Sequence, residues 1–353
     1  MKRTTVGLEV GTAWLRSVRV GDQDRLEGRA CRAAYAVLPS TASQKSQKSL
    51  LLQGRVPFAV CGDSLVLLGE AALEHAELFH ARPLSACVRS TGELESLRRQ
   101  VLALLLEAVL PQSKQKPEPT CCLACSAVDP VSAEFVQRVV KLAGYKPLVT
   151  DTAQALALAE LSNEQFSGVV LLAEGRRTEA VVFHQTNEVA RVGLSRGTFW
   201  LWKRLAENAD QHRRALSETA ESLESPRWVQ WFKQQGSVLG DPRSEFEATL
   251  TLLVSELLDA LIQQLRPQLK VLEGRSPERQ ALTFVCAGEL AELPGFRSLF
   301  KVRLRQHNVP AGTVKSVGSP YAVARGCLIQ AFLSSEPLAH TVQPTQTGQA
   351  GAA

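Results

Sequence analysis

Twice in this chain a short apolar strand runs into a glycine turn and returns as a second strand. The first pass is Thr5-Val6-Gly7-Leu8-Glu9-Val10, then Gly11-Thr12, then Ala13–Val20. The second is Gly168–Leu172, the turn Ala173-Glu174-Gly175-Arg176-Arg177-Thr178, and Glu179–His184. Two such hairpins, each at the head of an α/β half, predict an internal duplication. At 353 residues the chain has the length for two packed lobes. The expected architecture is α/β, with residues 1–165 as a first lobe and 166–335 as a second. The second lobe carries a helical insertion at about 199–272, and residues 336–353, rich in Thr, Gln, Gly, Pro and Ala, form a tail expected to be disordered.

Periodicity fills in the elements. Gly69–Ala81 and Glu93–Leu110 read as helices, the latter with Leu94, Leu97, Val101, Leu105 and Val109 on one face before Pro111 stops it. Thr41–Ser49 is polar and reads as a mobile loop. Strand Cys121–Ala127, helix Val131–Ala143 ended by Gly144, strand Lys146–Thr150 and helix Thr152–Leu161 follow. Helices over Phe199–Ala209 and Glu245–Leu272, strand Leu282–Cys286, and helices Phe296–Arg305 and Tyr321–Leu333 complete the ordered part.

Charge and cysteine usage narrow the classes. A net charge of +5 is too small and too dispersed for a nucleic-acid binder. No run approaches the roughly twenty consecutive apolar residues of a membrane span, and the start, Met1-Lys2-Arg3-Thr4-Thr5, enters a strand without the pattern of a signal peptide. The expected setting is a reducing cytoplasm. Most of the eight cysteines lie in apolar runs, where a free thiol packs as a small hydrophobe. Cys122 and Cys125 have metal-like spacing without a second half-site, so no metal site is expected.

The chemistry resides in the turns. Two hairpins facing each other across a cleft can grip a polyphosphate: glycine lets backbone N–H groups approach, a Thr hydroxyl adds a donor, and a carboxylate holds the water shell of Mg²⁺ or orients an attacking water. Glu9, Gly11 and Thr12 supply these groups in the first hairpin, Gly175 and Thr178 their remnants in the second. Asp151-Thr152-Ala153-Gln154-Ala155 opens a small-residue helix. Ala287-Gly288-Glu289-Leu290-Ala291-Glu292-Leu293-Pro294-Gly295 follows a buried strand, and Ser319–Cys327 opens the last helix.

This ordered set resembles the nucleotide-binding domain of DnaK-type heat-shock chaperones within the actin superfamily and, more distantly, the actin-like MreB, FtsA and PilM proteins. The similarity runs from about Thr5 to Phe332 and is most specific at Leu123–Ala159 and Ser319–Ala331. It implies a two-lobed actin-like ATPase fold, duplicated RNase H-like mixed sheets flanked by helices, with ATP and Mg²⁺ in the cleft. The first phosphate loop of that family reads D-x-G-T; Glu9 stands for its Asp, and Gly11 and Thr12 match. The second reads D-x-G-G-G-T; Ala173 stands for the Asp and Arg176-Arg177 for two glycines, leaving Gly175 and Thr178. The acid before the connecting helix is Asp151, the catalytic Lys falls at about Val88, and the adenosine segment fits Ala287, Gly288 and Glu289. The resemblance thus implies Glu9 and Asp151 as the catalytic candidates. Gly11, Thr12, Gly175, Arg176, Arg177, Thr178, Ala287, Gly288 and Glu289 are the implied nucleotide contacts.

Loss of the carboxylate at position 173 and of the Lys at 88 argues against efficient hydrolysis, since positioning groups carry large rate factors. Arg176 and Arg177 either pair with phosphate or obstruct the approach that glycines permit. The expected function is therefore a nucleotide-binding regulatory or scaffolding module with a protein partner, without the peptide-binding domain of a chaperone. The alternatives are an actin-like assembly or membrane-complex scaffold of the MreB, FtsA or PilM type, acting by self-association or partner docking, and an active ATPase using altered residues. Phe199, Trp200, Trp202, Trp228, Trp231 and Phe232 concentrate aromatic area in one region, as core packing or as a partner site. Lys203, Arg204, His212, Arg213 and Arg214 read as a solvated helix face.

Overall fold

The computed structural model describes residues 5–39, 44–87, 92–125, 130–208, 232, 234, 236–273 and 281–335. The duplication is literal. In the first lobe, β1 (Val6–Val10), β2 (Trp14–Val20) and β3 (Leu26–Arg32) form an antiparallel meander. Beyond a four-stranded sheet of β4 (Ala34–Val37), β5 (Phe58–Cys61), β6 (Ser64–Leu68) and β7 (Leu84–Ser85), the strands β8 (Thr120–Cys125) and β9 (Lys146–Thr150) add in parallel to β1. The sheet order is β3-β2-β1-β8-β9. The second lobe repeats it as β12-β11-β10-β13-β14, from β10 (Gly168–Ala173), β11 (Thr178–His184), β12 (Asn187–Leu194), β13 (Leu282–Ala287) and β14 (Ala311–Ser316). Each lobe is thus a five-stranded mixed sheet, three strands antiparallel and two parallel, as the fold expectation required.

Helices cover the sheets. The first lobe carries α1 (Gln44–Gln53) and α2 (Glu70–His75) on its small sheet, and α3 (Glu93–Val109) and α4 (Pro130–Leu142) on the large one. The second lobe carries α6 (Thr198–Asn208), α7 (Glu245–Glu273) and α8 (Phe296–Gln306). Two further helices, α5 (Thr152–Glu160) and α9 (Ala322–Ser335), lie between the lobes. In α7, Leu250, Leu253, Val254, Leu257, Leu258, Leu261, Ile262, Leu265 and Leu269 are buried, a stripe at helical spacing that builds the second core. By length and composition Glu245–Leu269 could cross a membrane, but 50% of its apolar window is buried inside the protein, as in a core helix.

Several expectations are corrected. The polar segment read as a loop at Thr41–Ser49 is helix from Gln44 onward: Leu51 is buried in the small-sheet core and anchors a helix whose other residues are mostly exposed. Strands β12 and β14 were absent from the periodicity reading because neither alternates cleanly, their residues being only partly buried. Trp202 and Phe232 are buried in the second core and Trp200 packs against it, so in these three the aromatic region is interior packing. Trp228, Trp231, His212, Arg213, Arg214 and the tail beyond 335 lie outside the described residues.

Alternation in β1 assigns its two faces. Val6, Leu8 and Val10 point into the first-lobe core beneath α3 and α4, whereas Gly7 faces α9. A Cβ at Gly7 would lie 1.9 Å from the Ala324 carbonyl oxygen, and one at Gly326 would lie 1.8 Å from that of Ala155. These two glycines let α9 press against β1 on one side and α5 on the other. The closeness of these backbones sets the separation of the lobes and hence the width of the cleft.

Candidate functional site

The β1–β2 hairpin presents the first set of groups. Its register pairs Glu9 with Arg16, so the two side chains stand abreast, and Arg16 Nη1 donates to both Glu9 carboxylate oxygens at 3.2 Å. Burial pushes the Glu9 carboxyl above its usual range, while the Arg16 charge and hydrogen bond pull it back. The Gly11 amide donates to the Trp14 carbonyl at 2.9 Å, closing the turn on itself. The Trp14 ring lies beneath the Arg32 guanidinium at 3.9 Å and near that of Arg16 at 5.0 Å.

The β10–β11 hairpin is closed by the Glu174 amide donating to Arg177 at 3.0 Å. It is fastened to α6 by the amides of Thr198 and Phe199, which donate to the carbonyls of Glu174 (3.0 Å) and Gly175 (2.8 Å). Gly175 lies under the Phe199 ring, where a Cβ would come within 3.0 Å of it. Arg176 is exposed. Arg177 bonds Glu179 at 2.8 Å, and its charge is thereby engaged within the protein. The Thr178 hydroxyl is buried with no hydrogen-bond partner. Ala173 is fully buried at the end of β10.

Asp151 caps α5, accepting from the amides of Ala153 (2.8 Å) and Gln154 (3.3 Å). The same carboxylate pairs with Arg191 of β12 at 3.1 Å, and Arg191 also reaches Glu179 at 3.2 Å and Glu188 at 2.7 Å. Hydrogen bonding to Glu188 leads the causes that hold the Arg191 guanidinium still more firmly protonated than usual. Asp151 thus joins a network that ties helix α5 to the second-lobe sheet.

At the end of β13, Gly288 adopts φ 93°, and a Cβ there would lie 2.4 Å from the Ala173 carbonyl oxygen. Glycine is required for this turn to abut β10. The next residue, Glu289, accepts from the Thr198 hydroxyl at 2.7 Å. Burial pushes the Glu289 carboxyl up, and this hydrogen bond draws it part of the way back. Beside it opens a cavity of about 530 Å³, at the carboxyl ends of the parallel strands β13 and β14, lined by Gly288, Ala291, Pro294, Arg297, Ser316 and Ser319 among others. Ala287 and Gly288 border this cavity.

The candidates therefore fall into two groups. Glu289 is bonded to Thr198, and through Thr198 it is joined to Glu174 and the second hairpin. Glu9 and Asp151 are each held by an arginine, Arg16 and Arg191. Val88 and Arg89 lie outside the described residues. Among the described residues no group of three or more His, Cys, Asp or Glu side chains is placed to hold a metal ion. Sequence reasoning missed Thr198, Arg16 and Arg191. Arg16 was hidden by the register: the observed loop is Thr12-Ala13, with Gly11 bonded to Trp14, whereas a turn at Gly11-Thr12 would set Glu9 opposite Trp14. Arg191 required the unread strand β12.

The sequence profile of the family described as Volactin matches residues 4–331. No curated protein matches the chain. Among solved structures, the MamK double helical filament superposes with a TM-score of 0.65 at 14% identity, covering 94% of this chain and 99% of MamK. MreB5 of Spiroplasma citri bound to AMPPNP superposes with a TM-score of 0.59 at 15% identity, covering 95% of this chain and 96% of that protein. The ADP-bound form of that MreB5 gives a TM-score of 0.57 at 14% identity, covering 94% and 96%. The fold is that of the actin-like ATPases.

Proposed function

The chain belongs to the Volactin family, and we propose that it is an actin-like scaffold whose activity is self-association. In this reading an adenine nucleotide binds weakly in the cleft and is not efficiently hydrolysed. One observation carries the second half: both catalytic candidates are already engaged, and position 173 carries no acid. Glu9 is clamped by Arg16, Asp151 by Arg191, and position 173 is a buried alanine. A group that must hold metal-bound water or orient a nucleophile has to be free to do so. Support for assembly comes from the filament form of MamK, which shares this fold over nearly its whole length. The MreB5 complex with AMPPNP supports a nucleotide in the cleft.

The finer likeness to DnaK-type chaperones adds a second reading, in which lobe closure governs contact with a different protein. The cysteines, free and buried or half-buried, suit action in a reducing cytoplasm. Sedimentation with and without ATP-Mg²⁺ tests assembly, and a protein that stays monomeric at tens of micromolar in both overturns it. Single-turnover hydrolysis tests the rest: bound nucleotide with no product over hours is expected, whereas repeated turnovers would make the chain a working ATPase with altered residues.

A further inference from the structure

The cavity at the ends of β13 and β14 is formed by two loops above the buried thiol of Cys286. Residues from 287–298 supply one wall and residues 316–320 the other. Among the described lining residues, Glu292 and Arg297 alone carry charge, and both are exposed. The remaining lining is glycine, serine or small and apolar side chains. Glu292 ends the short helical turn that begins at Glu289, and Arg297 stands in the first turn of α8.

The sheet determines which part of a nucleotide this cavity meets. The order β12-β11-β10-β13-β14 sets it one and two strands across from β10, whose end carries the second hairpin. At about 4.8 Å per strand, that is a step of roughly 5–10 Å. A nucleotide with its phosphates at the hairpins therefore turns its base toward Glu292 and Arg297. We propose that these two side chains make the cleft select a guanine nucleotide over an adenine one.

The donor and acceptor patterns discriminate. A carboxylate only accepts hydrogen bonds and can take two at once, whereas a guanidinium only donates, from a fixed fork. Guanine offers an edge to each: N1–H and the 2-amino group are adjacent donors, and O6 and N7 are adjacent acceptors. Adenine has a lone pair at N1, where the carboxylate would meet it, and an amino group in place of O6. The hydroxyls of Ser316 and Ser319 on the opposite wall suit either base, since a hydroxyl both donates and accepts. At about 530 Å³ the cavity falls within the usual range for a small-molecule site, roughly 300–1,000 Å³.

This inference rests on the reading that the cleft holds a nucleotide, and makes its weak adenine binding the lower end of a preference. Calorimetry on the full chain with GTP, ITP and ATP, each with Mg²⁺, tests it. A good bidentate pair discriminates between bases by about 5- to 150-fold, so GTP is expected to bind about tenfold or more tightly than ATP. ITP keeps O6, N7 and N1–H but lacks the 2-amino group, and is expected between them. Glu292→Ala should lower the GTP-to-ATP affinity ratio about tenfold, and Arg297→Met should lower the same ratio. Wild-type protein that binds ATP as tightly as GTP overturns this inference and leaves the nucleotide reading standing. An equal loss for both nucleotides in Glu292→Ala does the same, because it marks a structural role. If neither GTP nor ATP binds at millimolar concentration, both readings fall.

Discussion

Gly326 offers a substitution whose sign depends on the structure. In an unobstructed helix interior, Gly→Ala stabilises by about 1 kcal/mol, because alanine loses less backbone freedom on folding. Gly326 sits in α9 where that helix crosses α5, and its added Cβ would lie 1.8 Å from the Ala155 carbonyl oxygen and 2.4 Å from the carbonyl carbon. Ordinary van der Waals contact begins at 3.4 Å, and the obstruction is backbone, so no rotamer change relieves it. The helices must separate by more than 1 Å, and a gap of about 0.5–1 Å already forfeits a quarter to a half of each dispersion contact across it. The residues affected are the interlobe core, including Leu156, Cys327 and Ala331, all fully buried. Overpacking of this kind costs about 1–3 kcal/mol and sometimes more; after the helix gain, a net loss of about 2 kcal/mol is expected. Urea denaturation followed by circular dichroism measures it. An unchanged or raised midpoint would refute the close crossing and the account of cleft width built on it.

Thr178→Val removes a buried hydroxyl without a partner, so stability should rise by about 1 kcal/mol with nucleotide binding unaltered; a loss in either would show that the hydroxyl has a ligand. Arg191→Met leaves Glu179, whose side chain is 5% exposed, with Arg177 alone. The expected cost is about 2 kcal/mol, below that of a fully buried pair because Arg191 is itself 30% exposed, and a neutral result in thermal unfolding would dissolve the network. Burial raises the Asp259 carboxyl, but hydrogen bonds and charge from Arg303 and His307 outweigh it and leave the group below its usual range. A depressed carboxyl stabilises the fold above its unfolded value of about 3.9 and ceases to as pH falls through the lower folded value. Asp259→Asn should therefore destabilise at pH 7, by a margin that shrinks as pH falls below the unfolded value; a difference independent of pH would contradict this linkage.

The hairpins and the duplication were legible because they depend on local patterns: alternating apolar strands and glycines at the turns. Residues 44–53 were not legible as helix, since their helix is anchored chiefly by Leu51 meeting a sheet that forms from distant strands. The site was legible by position and not by state. Glu9 and Thr12 could be marked from the turn and Asp151 from the family resemblance, but whether an acid is free or clamped depends on which side chain lies opposite. For Glu9 that partner is its hairpin neighbour; for Asp151 it is Arg191, forty residues away on a strand with mixed burial. The Thr198–Glu289 bond joins residues 91 apart in sequence, and nothing local in either segment encodes it.

The two helices between the lobes explain how such contacts are coordinated. Helix α5 follows the first-lobe sheet in sequence, yet both of its ends are tied to the second lobe: Asp151 to Arg191 of β12, and the Glu160 carbonyl to Lys315 of β14 at 2.7 Å. Helix α9 follows the second-lobe sheet in sequence but packs on β1 through Gly7. Each lobe thus carries the helix that the other half of the sequence supplies, and the lobes touch where these helices cross at Gly326 and Ala155. Backbone contact at that crossing resists sliding, because any translation drives main chain into main chain. Rotation about the crossing is the movement left to the lobes.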